Sequence, residues 1–212
     1  MLWFSCRKDK FEDFDNNQLG TNYFPIKTKM YHQYKVKIIH FDAFNQTSDT
    51  LHLIERIEQD TFFKDNLGRN AMRIEVFTKD SNAAQWESVR SYYYVGLKTH
   101  VEAVIENKRN VILTLPMHEE SVWDYNTYNN QPQYLLMYSK KMDSYSNGII
   151  QAGRSMEITR LGRDLPFESN YWKEIYSEGI GLVSREYTNI EFVNNIPSGI
   201  KENKELIEYG YK

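Results

Sequence analysis

From Tyr23 to the C-terminus the chain is written in short runs in which apolar and polar residues alternate, a period that a pleated strand satisfies and a helix does not. In "AMRIEVF", Met72, Ile74 and Val76 share one face while Arg73 and Glu75 share the other, the pattern of a half-buried antiparallel strand. The same alternation marks "KMYHQYKVKIIHF", "TLHLIERIEQ", "ESVRSYYYVGLK", "HVEAVIEN", "NVILTLP", "QYLLMYSKKM", "SMEITRLG", "YWKEIYS" and "IGLVSREYTNIEF". Turn chemistry punctuates them at "FNQTSD", "KDNLGRN", "KDSNAA", "NKRN", "DSYSNG" and "LGRDLPFESN". Spacings of roughly 8 to 15 residues, with no amphipathic helix between runs, predict an all-β antiparallel meander. We expect a curved sheet or partly open barrel with at most one or two short helices, "KENKELIEY" forming either a short helix or a last strand. Sixteen Tyr against 10 Gly and 5 Pro fit an ordered, strand-rich chain.

The chain opens "MLWFSCRKDK", an apolar run that ends at a small residue and its only cysteine. This resembles the tail end of a bacterial lipoprotein signal peptide, in which the cysteine after cleavage receives lipid. The resemblance implies a membrane anchor at Cys6; the plain alternative is a free thiol at a frayed terminus. The polar stretch after it, through Asn22, lacks periodicity and reads as a tether of about 20 Å r.m.s. span. The expected organisation is a signal remnant and tether over 1–22 and a single β-rich domain over 23–212. No apolar run approaches the ~20 residues of a membrane-spanning helix. A net charge of −3, with both signs mixed along the chain, offers no basic stripe for nucleic acid.

Three separated segments, "YFPIKTKMYHQYKV", "NVILTLPMHEESVWDYNTYN" and "EIYSEGIGLVSREY", resemble the opening strand, middle strand and turn, and closing hairpin of uncharacterised lipoproteins of the Bacteroidota. The resemblance implies a secreted, lipid-anchored β-domain, similar in body to periplasmic lipoprotein carriers. It implies a place in the cell envelope, at the outer membrane on its periplasmic or surface face. It brings no catalytic residues.

The residues themselves define no reaction. Glu119, Glu120 and Asp124 share a turn-like segment with Trp123, Tyr125 and Tyr128, where rings that stack on sugars and paired acids would suit a glycosidase. A solvated turn with Trp123 packed beneath it is the simpler reading. In "SYYYVG", Tyr92 and Tyr94 share a face that either lines an apolar pocket or forms cross-strand core pairs. His32, His40, His52, His100 and His118 are scattered without metal-ligand spacing, and no phosphate loop, nucleophile elbow or dinucleotide fingerprint is present, so neither metal nor cofactor is expected. "NQT" at Asn45 fits an N-glycosylation acceptor, and "DTL" resembles the O-glycosylation motif of secreted Bacteroidota proteins, with Thr50 as acceptor. Gly179 is expected at positive φ in the turn of "YWKEIYSEGIGLVSREY", with Gly181 at a bulge or beneath Trp172. The expected function is non-catalytic: an envelope binding or structural module for an unidentified protein, glycan or lipid. A carrier of an apolar ligand in a half-barrel and an envelope glycan hydrolase are the alternatives.

Overall fold

The computed structural model describes residues 20–162 and 166–212. Cys6 and the expected tether up to residue 19 lie outside the described residues. Among the described residues the helical content is one 3-10 turn, Thr21–Tyr23. Everything else of regular structure is strand.

The long strands β1 (Met30–Asp42), β2 (Thr47–Lys64), β3 (Asn70–Asp80) and β4 (Glu87–Gly96) come first. β5 (His100–Ile105), β6 (Lys108–Thr114) and the short β7 (Val122–Asp124) follow. Next are β8 (Leu135–Met142), a small ribbon of β9 (Tyr145–Ser146) and β10 (Gln151–Ala152), and β11 (Ser155–Arg160). β12 (Glu168–Ser177), β13 (Gly181–Val193) and β14 (Ile196–Tyr211) complete the chain, so "KENKELIEY" is strand rather than helix. Strand β7 falls inside the segment expected to be only a turn, and β2 and β14 run several residues beyond their sequence signals.

Twelve strands form one antiparallel sheet in the order β6-β5-β4-β3-β2-β1-β14-β13-β12-β11-β8-β7. The pairing of β1 with β14, from Met30↔Tyr211 to Phe41↔Gly199, joins the two halves of the chain. Sheet twist curls the array until its edges, β6 and β7, meet and nearly close a barrel. That seam is sealed largely by side chains. The Val111 N–H donates to the Tyr125 carbonyl (2.9 Å), and the Val111 carbonyl accepts from the Trp123 indole (3.0 Å). The Tyr138 hydroxyl accepts from the Thr114 N–H and donates to the Thr114 carbonyl (3.0 and 2.6 Å). The Asn129 amide donates to the Arg109 carbonyl (2.9 Å). Backbone groups that an open edge would expose are thereby satisfied.

Two hairpins turn on left-handed pairs: Glu106-Asn107 (φ 49 and 61) and Asn194-Asn195 (φ 52 and 65). Positive φ at both central residues is what a type I′ turn needs to match strand twist. The first of these lies one residue ahead of the "NKRN" turn read from sequence. Both hairpins, with the β1–β2 turn, sit at the barrel end away from Met30 and Tyr211.

Candidate functional site

Alternation along the paired strands decides what the barrel holds. Tyr34 of β1 is paired with Glu55 of β2 and Leu206 of β14, and Tyr92 and Tyr94 of β4 with Ile74 and Met72 of β3. Tyr34, Tyr92 and Tyr94 line a small interior cavity of about 100 Å³ together with Tyr176, Arg185 and Lys204. Burial raises all four tyrosines above their ordinary range, Tyr92 to about 12. The cations are neutralised from within the wall. Lys204 Nζ lies 2.7 Å from Glu55, and Arg185 reaches one Glu174 oxygen through Nε and Nη2 (2.7 and 2.6 Å). Burial alone would raise the Glu55 carboxyl, but Lys204, Arg90 and Arg185 outweigh it and hold it below the ordinary carboxylate value. The cavity wall thus sets paired charges and tyrosine hydroxyls among apolar side chains such as Phe24, Ile57, Ile112 and Leu182.

At the end bearing the Glu106-Asn107 turn, a second and more open cleft of about 440 Å³ lies between β5–β6 and the loop from Asn126 to Tyr134. Four aromatic rings meet there. Trp172 and Tyr187 are cross-strand partners on β12 and β13, edge to face at 5.6 Å. Tyr125 and Tyr134 flank Trp172 at 5.5 and 5.8 Å. The Arg185 guanidinium sits 4.9 Å from the Trp172 ring centre and Arg160 lies 5.5 Å from that of Tyr134, so cations support two of the rings. Burial pushes Tyr125 and Tyr134 up to about 12, so both remain neutral phenols at ordinary pH. Tyr125 and Ile105 border both spaces, separating the interior cavity from the cleft.

The five rings singled out from sequence are dispersed by this geometry. Only Tyr125 reaches the cleft. Trp123 is 7% exposed and belongs to the core under the seam, while Tyr128 is 52% exposed and leans on His100 at 5.6 Å. Tyr92 and Tyr94 face the interior, bonded hydroxyl to hydroxyl at 2.9 Å. The three acids have separate local roles: Asp124 Oδ1 accepts the Asn126 and Tyr134 N–H groups (both 2.9 Å), Glu119 accepts the Lys141 N–H (2.7 Å), and Glu120 is a left-handed turn residue (φ 66). Gly179 has φ 74 and Gly181 φ 102. The neighbours of Gly181 are Pro25 and the His32 ring rather than Trp172, and the β12–β13 bulge falls just after it, where Tyr176 pairs with Leu182 and Ile175 with Ser184. Thr50 is exposed on β2. Trp172, expected from sequence only as a ring over Gly181, and Tyr134 and Tyr187 were not read as site residues; the signal available was "YWKEIY", whose second, fourth and sixth residues put Trp172, Glu174 and Tyr176 on one face too aromatic for solvent.

No family model matches the chain, and no curated protein matches it in sequence. Two solved structures share its outline weakly. One, from Bacteroides fragilis, is provisionally described as an exported protein with a YmcC-like fold; it is 10% identical, covers 88% of this chain and 98% of its own, and gives a TM-score of 0.47. The other, from Parabacteroides distasonis, is provisionally described as a lipoprotein; it is 12% identical, covers 89% and 98%, and gives 0.41.

Proposed function

We propose that this chain is a lipid-anchored protein of the bacterial cell envelope whose β body is a non-catalytic binding module, with the cleft beside Trp172 as its site. The observation that carries the site is the meeting of Tyr125, Tyr134, Trp172 and Tyr187 at one end of the barrel around about 440 Å³ of space. That volume falls within the roughly 300–1,000 Å³ of small-molecule sites. The anchor rests on the sequence, where Cys6 follows an apolar run and precedes a polar tether. Carriage of a lipid inside the barrel is less well supported, since the interior cavity is about 100 Å³ and its cations are paired with Glu55 and Glu174. Binding without turnover is favoured because one oxygen each of Asp124 and Glu119 is engaged in holding backbone N–H groups of the loop and of β8.

Ligand-observed NMR with a mixture of oligosaccharides, nucleosides, proline-rich peptides and short fatty acids tests the reading. At least one class should show saturation transfer that Trp172→Ala reduces severalfold. Absence of any Trp172-dependent signal removes the cleft as a binding site.

A further inference from the structure

Resting on the reading of the cleft as a binding site, we infer that its ligand is a neutral oligosaccharide, stacked on Tyr134 and Trp172 and hydrogen-bonded by the amides at the rim. A pyranose ring has an apolar C–H face and a perimeter of hydroxyls, each both donor and acceptor. Aromatic rings cover the first, and carboxamides, which also donate and accept, suit the second. The cleft has that division. Beside its four rings it presents Asn110, Asn126, Gln131 and Gln133. Aliphatic lining is confined to Ile105 and Pro132, too little for an acyl chain. Its charges are Glu106 and Lys108, one of each sign, so neither an anionic nor a cationic ligand is selected.

The rim is also held in advance of binding. Asp124 ties the N–H groups of Asn126 and Tyr134, the Asn126 amide donates to the Pro132 carbonyl (2.6 Å), and the Asn129 amide bridges to the Asn110 side chain (2.9 Å). A loop fixed in this way loses little further freedom when a flexible sugar binds.

Titration calorimetry of the soluble domain with cellohexaose, xylohexaose, mannohexaose and maltohexaose, with oligogalacturonate as the charged control, tests the inference. At least one neutral hexaose should bind, and more tightly than oligogalacturonate. Loss of a stacking ring in Trp172→Ala should weaken it about tenfold. Because Trp172 also packs against Tyr125 and Arg185, the exposed-rim double variant Gln131→Ala/Gln133→Ala provides a fold-neutral check. It should lose affinity severalfold with an unchanged melting temperature. Trp172-dependent binding of a proline-rich peptide, a nucleoside or a fatty acid, with none of a neutral hexaose, overturns the inference while leaving the cleft as a site. Tighter binding of oligogalacturonate overturns it too. Absence of binding by every class overturns both.

Discussion

Two glycines and one histidine show how much can hang on single positions. Gly199 sits opposite Ile190 with φ 135, and a Cβ built on it would lie 2.1 Å from the Asn189 carbonyl oxygen. The strands β13 and β14 would have to separate there. Gly179, in the β12–β13 turn, has φ 74 but nothing within 4 Å of a Cβ, so only the backbone conformation opposes a side chain. Gly199→Ala should therefore cost about 3 kcal/mol and Gly179→Val about 1–2 kcal/mol. Glu178→Ala, which loses a half-buried pair with Arg154 and the hydrogen bond from the Tyr23 hydroxyl, should cost about 1 kcal/mol. Urea melts that rank Gly199→Ala no worse than Gly179→Val would remove the steric argument. His32 lies beneath the same turn, its Nε2–H donating to the Ile180 carbonyl at 2.6 Å, with Tyr34 and Tyr209 stacked to either side at 6.2 and 6.5 Å. Burial holds its pKa below the ordinary 6.5, the Ile180 carbonyl opposing only in part. The unfolded chain then takes up a proton before the folded one, so stability is complete above about pH 6.5 and declines as pH falls toward the depressed folded value. The lowered carboxyl of Glu55 adds its own loss only below the ordinary carboxylate range. Replacing His32 by Gln keeps a donor and should flatten the unfolding midpoint between pH 6.5 and 5. An equally steep profile in that variant would assign the dependence to another group.

At the level of elements, the alternation that identifies β3 also sets its burial. Met72, Ile74 and Val76 are fully buried while Arg73 pairs with Asp60 on the outside. Strands of this kind are legible because period two is written locally. Closure of the sheet is not. Val111 and Trp123 are 12 residues apart and Thr114 and Tyr138 are 24 apart, and neither pairing has a repeat that the eye can follow. The pair between Lys204 and Glu55 spans 149 residues, so two charges that look solvated in sequence end up in the barrel wall. The same distance problem hid the cleft. Tyr125 stands in a visibly aromatic turn, but Trp172 and Tyr187 acquire their meaning only when β12 folds back on β13 and the Asn126–Tyr134 loop crosses them. The left-handed Glu106 was hidden for a different reason, since its turn is stabilised by strand twist rather than by its own preference. The seam offers a direct test of how much an edge closed by side chains contributes. Tyr138→Phe keeps the ring against Trp123 but leaves the Thr114 N–H and carbonyl without partners. The expected cost is about 1–3 kcal/mol, with faster amide exchange at Thr114 and Val111 than at the β1–β14 ladder. Protection that falls uniformly over the barrel would mean that the seam does not open on its own.

The whole molecule has two distinct ends, and the sequence of its strands fixes which is which. The described chain begins at Gly20 near Met117, the Asn22 carbonyl accepts from the Gly179 N–H (2.8 Å), and the Lys212 N–H donates to the Lys29 carbonyl (2.9 Å), so both termini of the body gather at one end. The cleft opens at the other, beside the Glu106-Asn107 turn. The outer faces of the strands between carry Lys35, Lys37, Arg73 and Glu186, exposed or half-buried, where a membrane-spanning barrel would carry a lipid-facing apolar band. An anchor at Cys6 would join the described body at Gly20, at the end opposite the cleft. This arrangement makes a joint prediction. Expressed from its full gene with metabolic palmitate labelling, wild-type protein should incorporate label and fractionate with membranes, and Cys6→Ser should do neither. Reconstituted in vesicles, the labelled protein should bind its cleft ligand as tightly as the Cys6→Ser form, within about twofold, because the described body begins at the end opposite the cleft. Equal label in the two forms defeats the anchor, and an affinity reduced tenfold or more at the vesicle surface defeats the orientation while leaving the anchor intact.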